Sequence, residues 1–401
     1  MDNLLFLVHR IPYPPNKGDK IRSFNFLRHL SQHFNIYLGA FIDDADDLAY
    51  VSHVQKYCAD VKLITINPTL RTAISAKGLL LGSSLSVPYY DVASMYNWVD
   101  MTIKQRQIRK AFVFSSVMAQ FVARYNTMDV IADFVDIDSD KWRQYAEKKP
   151  WPISWVYSRE SKRLLDYEMD VTQRSEKVLF VSEKEAELFI TFSQELSPKV
   201  EFVNNGVDVD FFTPSESFTN HYKKQETAIV FTGAMDYWAN VDAVVWFVDN
   251  VLPELRLKQN GVMFYIVGSK PSSQVRELQR HDDVVVTGRV DDMRPYIQFA
   301  DVIVAPLRIA RGVQNKVLEA MAMGKPIVAS PQAMEGIDAE VCGVAVAEQP
   351  NNFVQAVMDM LATDSYLIDN RKFVEANFSW LESGKKLVSI INNNALMEEH
   401  N

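Results

Sequence analysis

Residues 305–330 read APLRIARGVQNKVLEAMAMGKPIVAS. One apolar run, Val302–Ala305, leads into this stretch and another, Ile327–Ala329, closes it. Pro306 stops the first run and turns its neighbour away from helical geometry. Gly312 lets another group come close to the backbone. A helix is expected from about Val313, with Val317, Met321 and Gly324 on the face that packs against a sheet. Strand, loop, helix, strand in that order is a parallel α/β unit. The loop and helix start hold Arg308, Arg311, Gly312, Asn315 and Lys316, and Glu319 follows Lys316 by three residues. A buried connector has no use for that cluster. The first amides of a helix are unpaired and lie at the positive end of its dipole, which suits an anion. Arg308, Arg311 and Lys316 add formal charge, the arginines as planar paired donors. Glu319 can share a face with Lys316. Its carboxylate only accepts hydrogen bonds, which suits paired sugar hydroxyls. A solvated Lys/Glu pair on an ordinary helix explains Val317 and Met321, but not the clustered charges.

The same alternation extends outward. Strands are expected at Leu4–Val8, Ile36–Phe41, Val61–Ile66, Ala111–Phe114, Val130–Phe134 and Val178–Val181. A second set lies at Ala228–Thr232, Met263–Val267, Val284–Thr287, Val302–Ala305, Ile327–Ala329 and Val344–Val346. Amphipathic segments separate them, among them Asp19–His33, Ser115–Tyr125, Asn240–Leu255 and Asn315–Met323. Apolar runs alternating with helices imply an α/β fold of parallel sheets covered on both faces. The polar stretch 213–227, with Pro214 and no apolar period, is the expected linker. Two doubly wound Rossmann-like domains follow, 1–212 and 228–378, facing a cleft. Ligands would bind at the carboxyl ends of their strands. The helical pattern from Trp380 to Met397, within 379–401, is expected to return to the first domain.

Composition narrows the function. The chain has 401 residues and a formal net charge of −9, which disfavours nucleic acid as a partner. Its two cysteines, Cys58 and Cys342, form neither a disulfide framework nor a metal motif, which suits the cytoplasm. The start, MDNLLFLVHRIPYPP, has an acidic residue where a signal peptide needs basic ones, its apolar run Leu4–Val8 is too short for one, and no stretch has the length and apolarity of a membrane span.

Two further loops carry chemistry. DFVDIDSDKW, residues 133–142, follows a strand and opens a helix. One acid there would cap the helix; three invite another role. Asp138 first, then Asp136, are candidates to take the proton of an acceptor hydroxyl. His9, at the end of the first strand, is a second candidate base. In PYPPNKGDKIRS, residues 12–23, Lys17, Lys20 and Arg22 surround a helix start and could meet an acceptor phosphate. Basic residues at 104–110 and at 141–149 stand near Trp142, Trp151 and Trp155, a composition suited to resting on anionic lipid.

KVLEAMAMGKPIVAS, residues 316–330, resembles the nucleotide-sugar signature of the E-x7-E group of GT-B glycosyltransferases. NNGVDVDFF, residues 204–212, is similar to that group's interdomain signature. Taken in order, PYPPNKGDKIRSFN, VDIDSDKW, GAMDYWANVDAV and PLRIARGVQNKVLEAMAMG look like the exosortase/PEP-CTERM-associated sugar transferases of bacterial exopolysaccharide loci. The resemblance implies that Glu319 holds the donor ribose and that amides from Arg311 to Asn315 hold the diphosphate. It implies that Val290, with Gly288 and Arg289, meets the base, and that Gly233 lies at the diphosphate. Gly18 would face phosphates or the acceptor. It also implies no bound metal and no cofactor, with a nucleoside-diphosphate sugar as co-substrate. Arg311 occupies the place of the group's first Glu, and the loop at Gly233 lacks the group's Arg and Lys; Arg308, Arg311 and Lys316 are expected to compensate. The reading is a cytoplasmic glycosyltransferase, hexosyl-transferring and peripheral to the inner face of the membrane, passing sugar to a lipid-linked glycan. A sugar-nucleotide epimerase of the same fold, or a non-catalytic two-domain sugar-binding protein, are the alternatives.

Overall fold

The computed structural model describes residues 1–15, 18–147, 149–310, 312–337, 343–362 and 369–393. Two compact units divide the chain, one of Met1–Asn204 with Ser383–Asn401, the other Asn205–Glu382.

The first unit is built on β1 (Asp2–Val8), β2 (Phe34–Ile42), β3 (Asp60–Thr65), β4 (Lys110–Phe114), β5 (Asp129–Val135), β6 (Lys177–Phe180) and β7 (Val200–Phe202). All neighbours pair parallel, in the order β3-β2-β1-β4-β5-β6-β7. The second holds β8 (Thr227–Thr232), β9 (Val262–Val267), β10 (Val284–Gly288), β11 (Val302–Ala305), β12 (Ile327–Ala329) and β13 (Val344–Val346). Their order is β10-β9-β8-β11-β12-β13, again parallel. Strands so placed are covered on both faces, and this explains the unbroken apolar runs: Leu4 to Leu7 and Val302 to Ala305 are at most 1 % exposed. In each sheet the chain walks outward to one edge, then returns to the other side of its first strand. The order therefore reverses between β1 and β4, and between β8 and β11. Such switch points open a crevice at the carboxyl ends of the strands.

The helices used below are α1 (Gly18–Leu30), α2 (Asp138–Glu147), α3 (Ile153–Arg174), α4 (Trp238–Asn250), α5 (Asn315–Ala322) and α6 (Trp380–Ile391). Differences from the sequence reading have local causes. β7 is too short to show as an apolar run, with Glu201 at its centre. The segment expected to be helical at Ser115–Tyr125 forms only a 3₁₀ stretch, Ser116–Phe121. The expected helix Asn240–Leu255 breaks at Val251, where Pro253 opens the next one. The stretch 213–227 packs on the second unit instead of linking units: Tyr222 is buried there and its hydroxyl donates to the Tyr296 carbonyl at 2.6 Å. From Ser383 onward the chain joins the first unit; Gly384 lies against the His29 ring and Lys386 Nζ stands 4.0 Å over the Phe202 ring. Among the described residues no helix is long and apolar enough to cross a membrane.

Candidate active site

In the second unit the switch point is lined by the loops after β8 and β11 and the start of α5. Gly233 N donates to the Val267 carbonyl at 3.0 Å, and Met235 N to the Ser269 carbonyl at 2.8 Å. These bonds pull the loop after β8 onto the end of β9. Asn240, in the first turn of α4, donates from Nδ2 to the Ala234 carbonyl at 2.9 Å, and its Oδ1 accepts from Lys316 Nζ. One amide thus ties the loop, α4 and α5 together. Lys316 Nζ also lies 4.2 Å above the Phe231 ring.

α5 begins at Asn315, two residues later than expected, because Gly312 turns the chain with φ +63°. Gln314, at the cap, makes no side-chain bond to the first helix amides. Its Nε2 donates instead to the Gly312 carbonyl at 2.9 Å. Asn315 is exposed at this end, while Lys316 and Glu319 are half-buried. Burial pushes the Glu319 carboxyl up to about 7, against the pull of Lys316. Burial likewise pushes Lys316 down to about 7, with Glu319 opposing. The two groups form no close ion pair among the described contacts, and no described residue donates a hydrogen bond to the Glu319 carboxylate. A partly protonated carboxyl and a partly neutralised ammonium therefore stand beside a helix start whose cap residue gives its amides no side-chain bond.

The other donor candidates fall differently. Arg308 does not turn toward α5; its Nε donates to Asp242 Oδ2 at 2.9 Å, and Nη2 bonds the other oxygen of that carboxylate. It is thus committed to α4, contrary to the reading of Arg308 as a free phosphate ligand. Arg311 lies outside the described residues. Val290 stands two residues past Gly288 at the end of β10 and packs against the unit's core.

In the first unit the acid loop is held from below. β5 ends in a bulge at Asp133/Val135, and Val135 takes φ +69°. Ile137 N donates to Glu185 Oε1 at 3.0 Å. Ser139 donates its N and its Oγ to Glu168, at 3.3 and 2.5 Å. Glu168 is fully buried in α3, and burial pushes its carboxyl up to about 8 despite these two donors. Lys141 Nζ sits between Asp136 at 2.9 Å and Asp138 at 3.1 Å. Burial works against its charge, but the two carboxylates hold Lys141 well above its ordinary range. Asp140 is buried and taken by Arg143 and Gln144. Only Asp136 and Asp138, each over a third exposed, offer carboxylate to a ligand from this loop.

The basic start of α1 does not face an acceptor. Arg22 is fully buried: its Nε meets Asp133 at 2.8 Å, its Nη1 donates to the Val203 carbonyl at 2.7 Å, and its guanidinium lies 4.6 Å over Phe26. Lys20 is buried on Asp47 at 2.6 Å. Arg22 thus meets the sheet at β5, while Lys20, two residues away and so on another side of α1, is held by the segment after β2. Gly18 is exposed at the helix start, and Lys17 lies outside the described residues. His9, at the end of β1, stacks on Phe114 and places Nε2 3.4 Å from Asp19. Asp19 is also bonded by Arg10 at 2.8 Å; burial works to raise it, yet His9 and Arg10 hold it below the usual carboxylate range.

Sequence reasoning passed over Glu168 and Glu185, and read Lys141 only as one of a basic cluster. An acid recurring inside the amphipathic stretch of α3 is the one trace Glu168 leaves. Lys141 was legible at i+3 from Asp138, but its bond to Asp136 depends on the turn at Val135.

Residues 226–363 match the family Glycosyl transferases group 1. No curated protein matches the chain. Among solved structures, sucrose-phosphate synthase from Thermosynechococcus elongatus superposes with TM-score 0.68 at 15 % identity, covering 98 % of this chain and 99 % of that one. Anabaena Alr3699/HepE, in complex with UDP and glucose, gives 0.64 at 14 %, covering 98 % and 100 %. WaaG, described as a glycosyltransferase involved in lipopolysaccharide biosynthesis, gives 0.58 at 14 %, covering 97 % and 98 %. At such identities the likeness is one of fold, and the fold is that of GT-B glycosyltransferases.

Proposed function

We propose, from a chain whose residues 226–363 carry a glycosyl transferases group 1 region within a GT-B fold, that this protein transfers a hexose from a nucleoside-diphosphate sugar to a lipid-linked glycan, in the cytoplasm, during exopolysaccharide synthesis. The supporting observation is the Glu319/Lys316 pair at the start of α5, tied through Asn240 to the loop at Gly233. Glu319 accepts from the two ribose hydroxyls. Lys316 and the first amides of α5 meet the diphosphate. The bond from anomeric carbon to diphosphate oxygen breaks and its electron pair leaves with the diphosphate. That growing charge meets preset dipoles and an ammonium, which is electrostatic catalysis without a metal. The acceptor oxygen forms the new bond to the anomeric carbon. Asp138, with Asp136 beside it on Lys141, receives the hydroxyl proton.

The HepE complexes contain UDP and UDP-glucose, so UDP is the first nucleotide to offer, followed by GDP and ADP. Calorimetry is expected to show one nucleoside diphosphate binding the wild type, and Glu319→Ala weakening it by at least about tenfold, roughly 1.4 kcal/mol. Asp138→Ala is expected to keep that affinity and to lose transfer to an isolated lipid-linked glycan fraction, with chelator leaving the wild-type rate unchanged. Absence of nucleotide binding by the folded protein would sink the reading.

Nucleotide affinity should also depend on pH. The diphosphate contact needs Lys316 protonated, and Lys316 sits at about 7, so affinity falls as pH rises past that point. The ribose contact needs Glu319 ionised, and Glu319 also sits at about 7, so affinity falls as pH drops below it. Binding is expected to peak near neutrality and to weaken by about tenfold some one and a half pH units to either side. A flat calorimetric profile from about pH 5.5 to 8.5 would contradict these roles.

A further inference from the structure

We propose that the tip of the α2–α3 hairpin is a docking surface for anionic lipid bilayer. The inference extends the proposed use of a lipid-linked acceptor, but its observations are separate from the donor site.

α2 and α3 form the most extensive helix–helix packing of the first unit, and Trp142 meets Tyr157 across it with ring centroids 4.9 Å apart. Inside that stem Trp142 and Tyr157 are half-buried against each other, with Tyr145 packed at their side. The tip is barer. Trp151 is 80 % exposed, Trp155 57 % and Ile153 45 %. Two tryptophans at one end of one hairpin thus leave more than half of their surface to water. Tryptophan combines an apolar ring with one polar N–H, the combination that settles at a membrane–water boundary.

The charge around these rings has the complementary sign. From Glu147, which Arg143 neutralises, up to Lys162 the described basic residues of the hairpin are Lys149, Arg159 and Lys162 against two acids, Glu147 and Glu160, in a chain whose net charge is −9. One of those acids, Glu160, is buried and holds the amides of Leu85 and Ser86. Lys149 is exposed beside Trp151, with no carboxylate partner among the described residues. Arg159, one turn beyond Trp155, binds the carbonyls of Gly78 and Ser83, which brings Lys77 and the exposed Leu79 onto the same surface. Basic side chains around a small apolar tip are what an anionic headgroup layer attracts, while the rings enter its boundary.

The direction of the hairpin fits the acceptor. Glu168 of α3 bonds Ser139, just past the carboxyl end of β5. Ile153 precedes Glu168 by fifteen residues in the same helix, so the tip projects roughly 22 Å beyond that level at 1.5 Å per residue. It therefore stands out on the side of the sheet where Asp136 and Asp138 lie. A lipid-borne acceptor held in the bilayer would present its head group toward that loop.

The test is sedimentation of the full chain with vesicles of phosphatidylcholine alone and of phosphatidylcholine mixed with phosphatidylglycerol, read also by tryptophan fluorescence. The wild type is expected to bind the anionic vesicles with a blue shift and to leave neutral ones. Trp151→Ala/Trp155→Ala and Lys77→Glu/Lys149→Glu are each expected to weaken partition about tenfold. These positions are exposed, and an unchanged circular dichroism spectrum and urea midpoint in each variant confirm folding. Binding that ignores lipid charge, no binding at all, or variants that bind like the wild type would overturn the proposal. So would a wild-type dimer that the tryptophan variant dissolves, since the occupant would then be a second copy. Loss of the UDP site with vesicle binding intact would defeat the transferase reading and leave this surface standing.

Discussion

Arg22→Ala is expected to destabilise the first unit by about 3–5 kcal/mol, the cost of leaving a buried charge without its partner. Asp133 sits at 0 % exposure in a central strand, and Arg22, itself at 0 %, is its counter-ion. The guanidinium also satisfies the Val203 carbonyl and covers Phe26. Burial already pushes the Asp133 carboxyl above its usual range, with Arg22 opposing. Removing Arg22 would leave a carboxylate in the core with only the Val135 amide as a described donor. Urea denaturation followed by tryptophan fluorescence should show the first unit's transition moving to much lower denaturant. The paired change Arg22→Met/Asp133→Leu removes both charges and should cost less than Arg22→Ala alone. A single variant within about 1 kcal/mol of wild type would show that the pair is not a structural ion pair.

Gly268→Ala is expected to abolish nucleotide binding. A Cβ at this position would stand 1.6 Å from the Gly233 carbonyl oxygen, which is backbone and cannot rotate away. The loop after β8 would have to lift. Its bonds from Gly233 N to Val267 and from Met235 N to Ser269 would go with it. Asn240, held by the Ala234 carbonyl, would lose its grip on Lys316. Overpacking of this kind costs about 1–3 kcal/mol in stability. The effect on the site should be larger, a loss of about a hundredfold or more in affinity, because loop, α4 and α5 move out of register together. Calorimetry with UDP on the folded variant decides it; near-wild-type affinity would mean that the loop does not form the diphosphate seat.

The sheets were legible because strands buried on both faces write themselves as apolar runs, and each expected strand lies within two residues of the observed one, as Leu4–Val8 does against β1 and Val302–Ala305 against β11. The Lys316/Glu319 pair was legible because three residues on a helix fix a shared face. Where reading failed, it failed on partners. Lys20, Arg22 and Arg308 were taken as cations free for phosphate, yet each meets an aspartate far away in the chain, Asp47, Asp133 and Asp242. A sequence shows a charge but not what neutralises it. Asp133 carried a clue: an acid inside VIADFV must find a buried cation. Likewise Tyr222 and Phe218 bind the stretch 213–227 to the second unit although its composition reads as a linker.

The chain leaves the first unit after Asn204 and rejoins it at Ser383. The second unit is thus continuous in sequence and the first is not. During synthesis, which proceeds from the amino end, every strand of the first sheet emerges early, but its covering segment at 383–393 comes only after the whole second unit. Until then His29 and the Phe202 ring lack Gly384 and Lys386. The nascent chain therefore carries an unfinished first unit while its second unit can already close, so the part of the protein that begins later in the sequence is the first that can be complete.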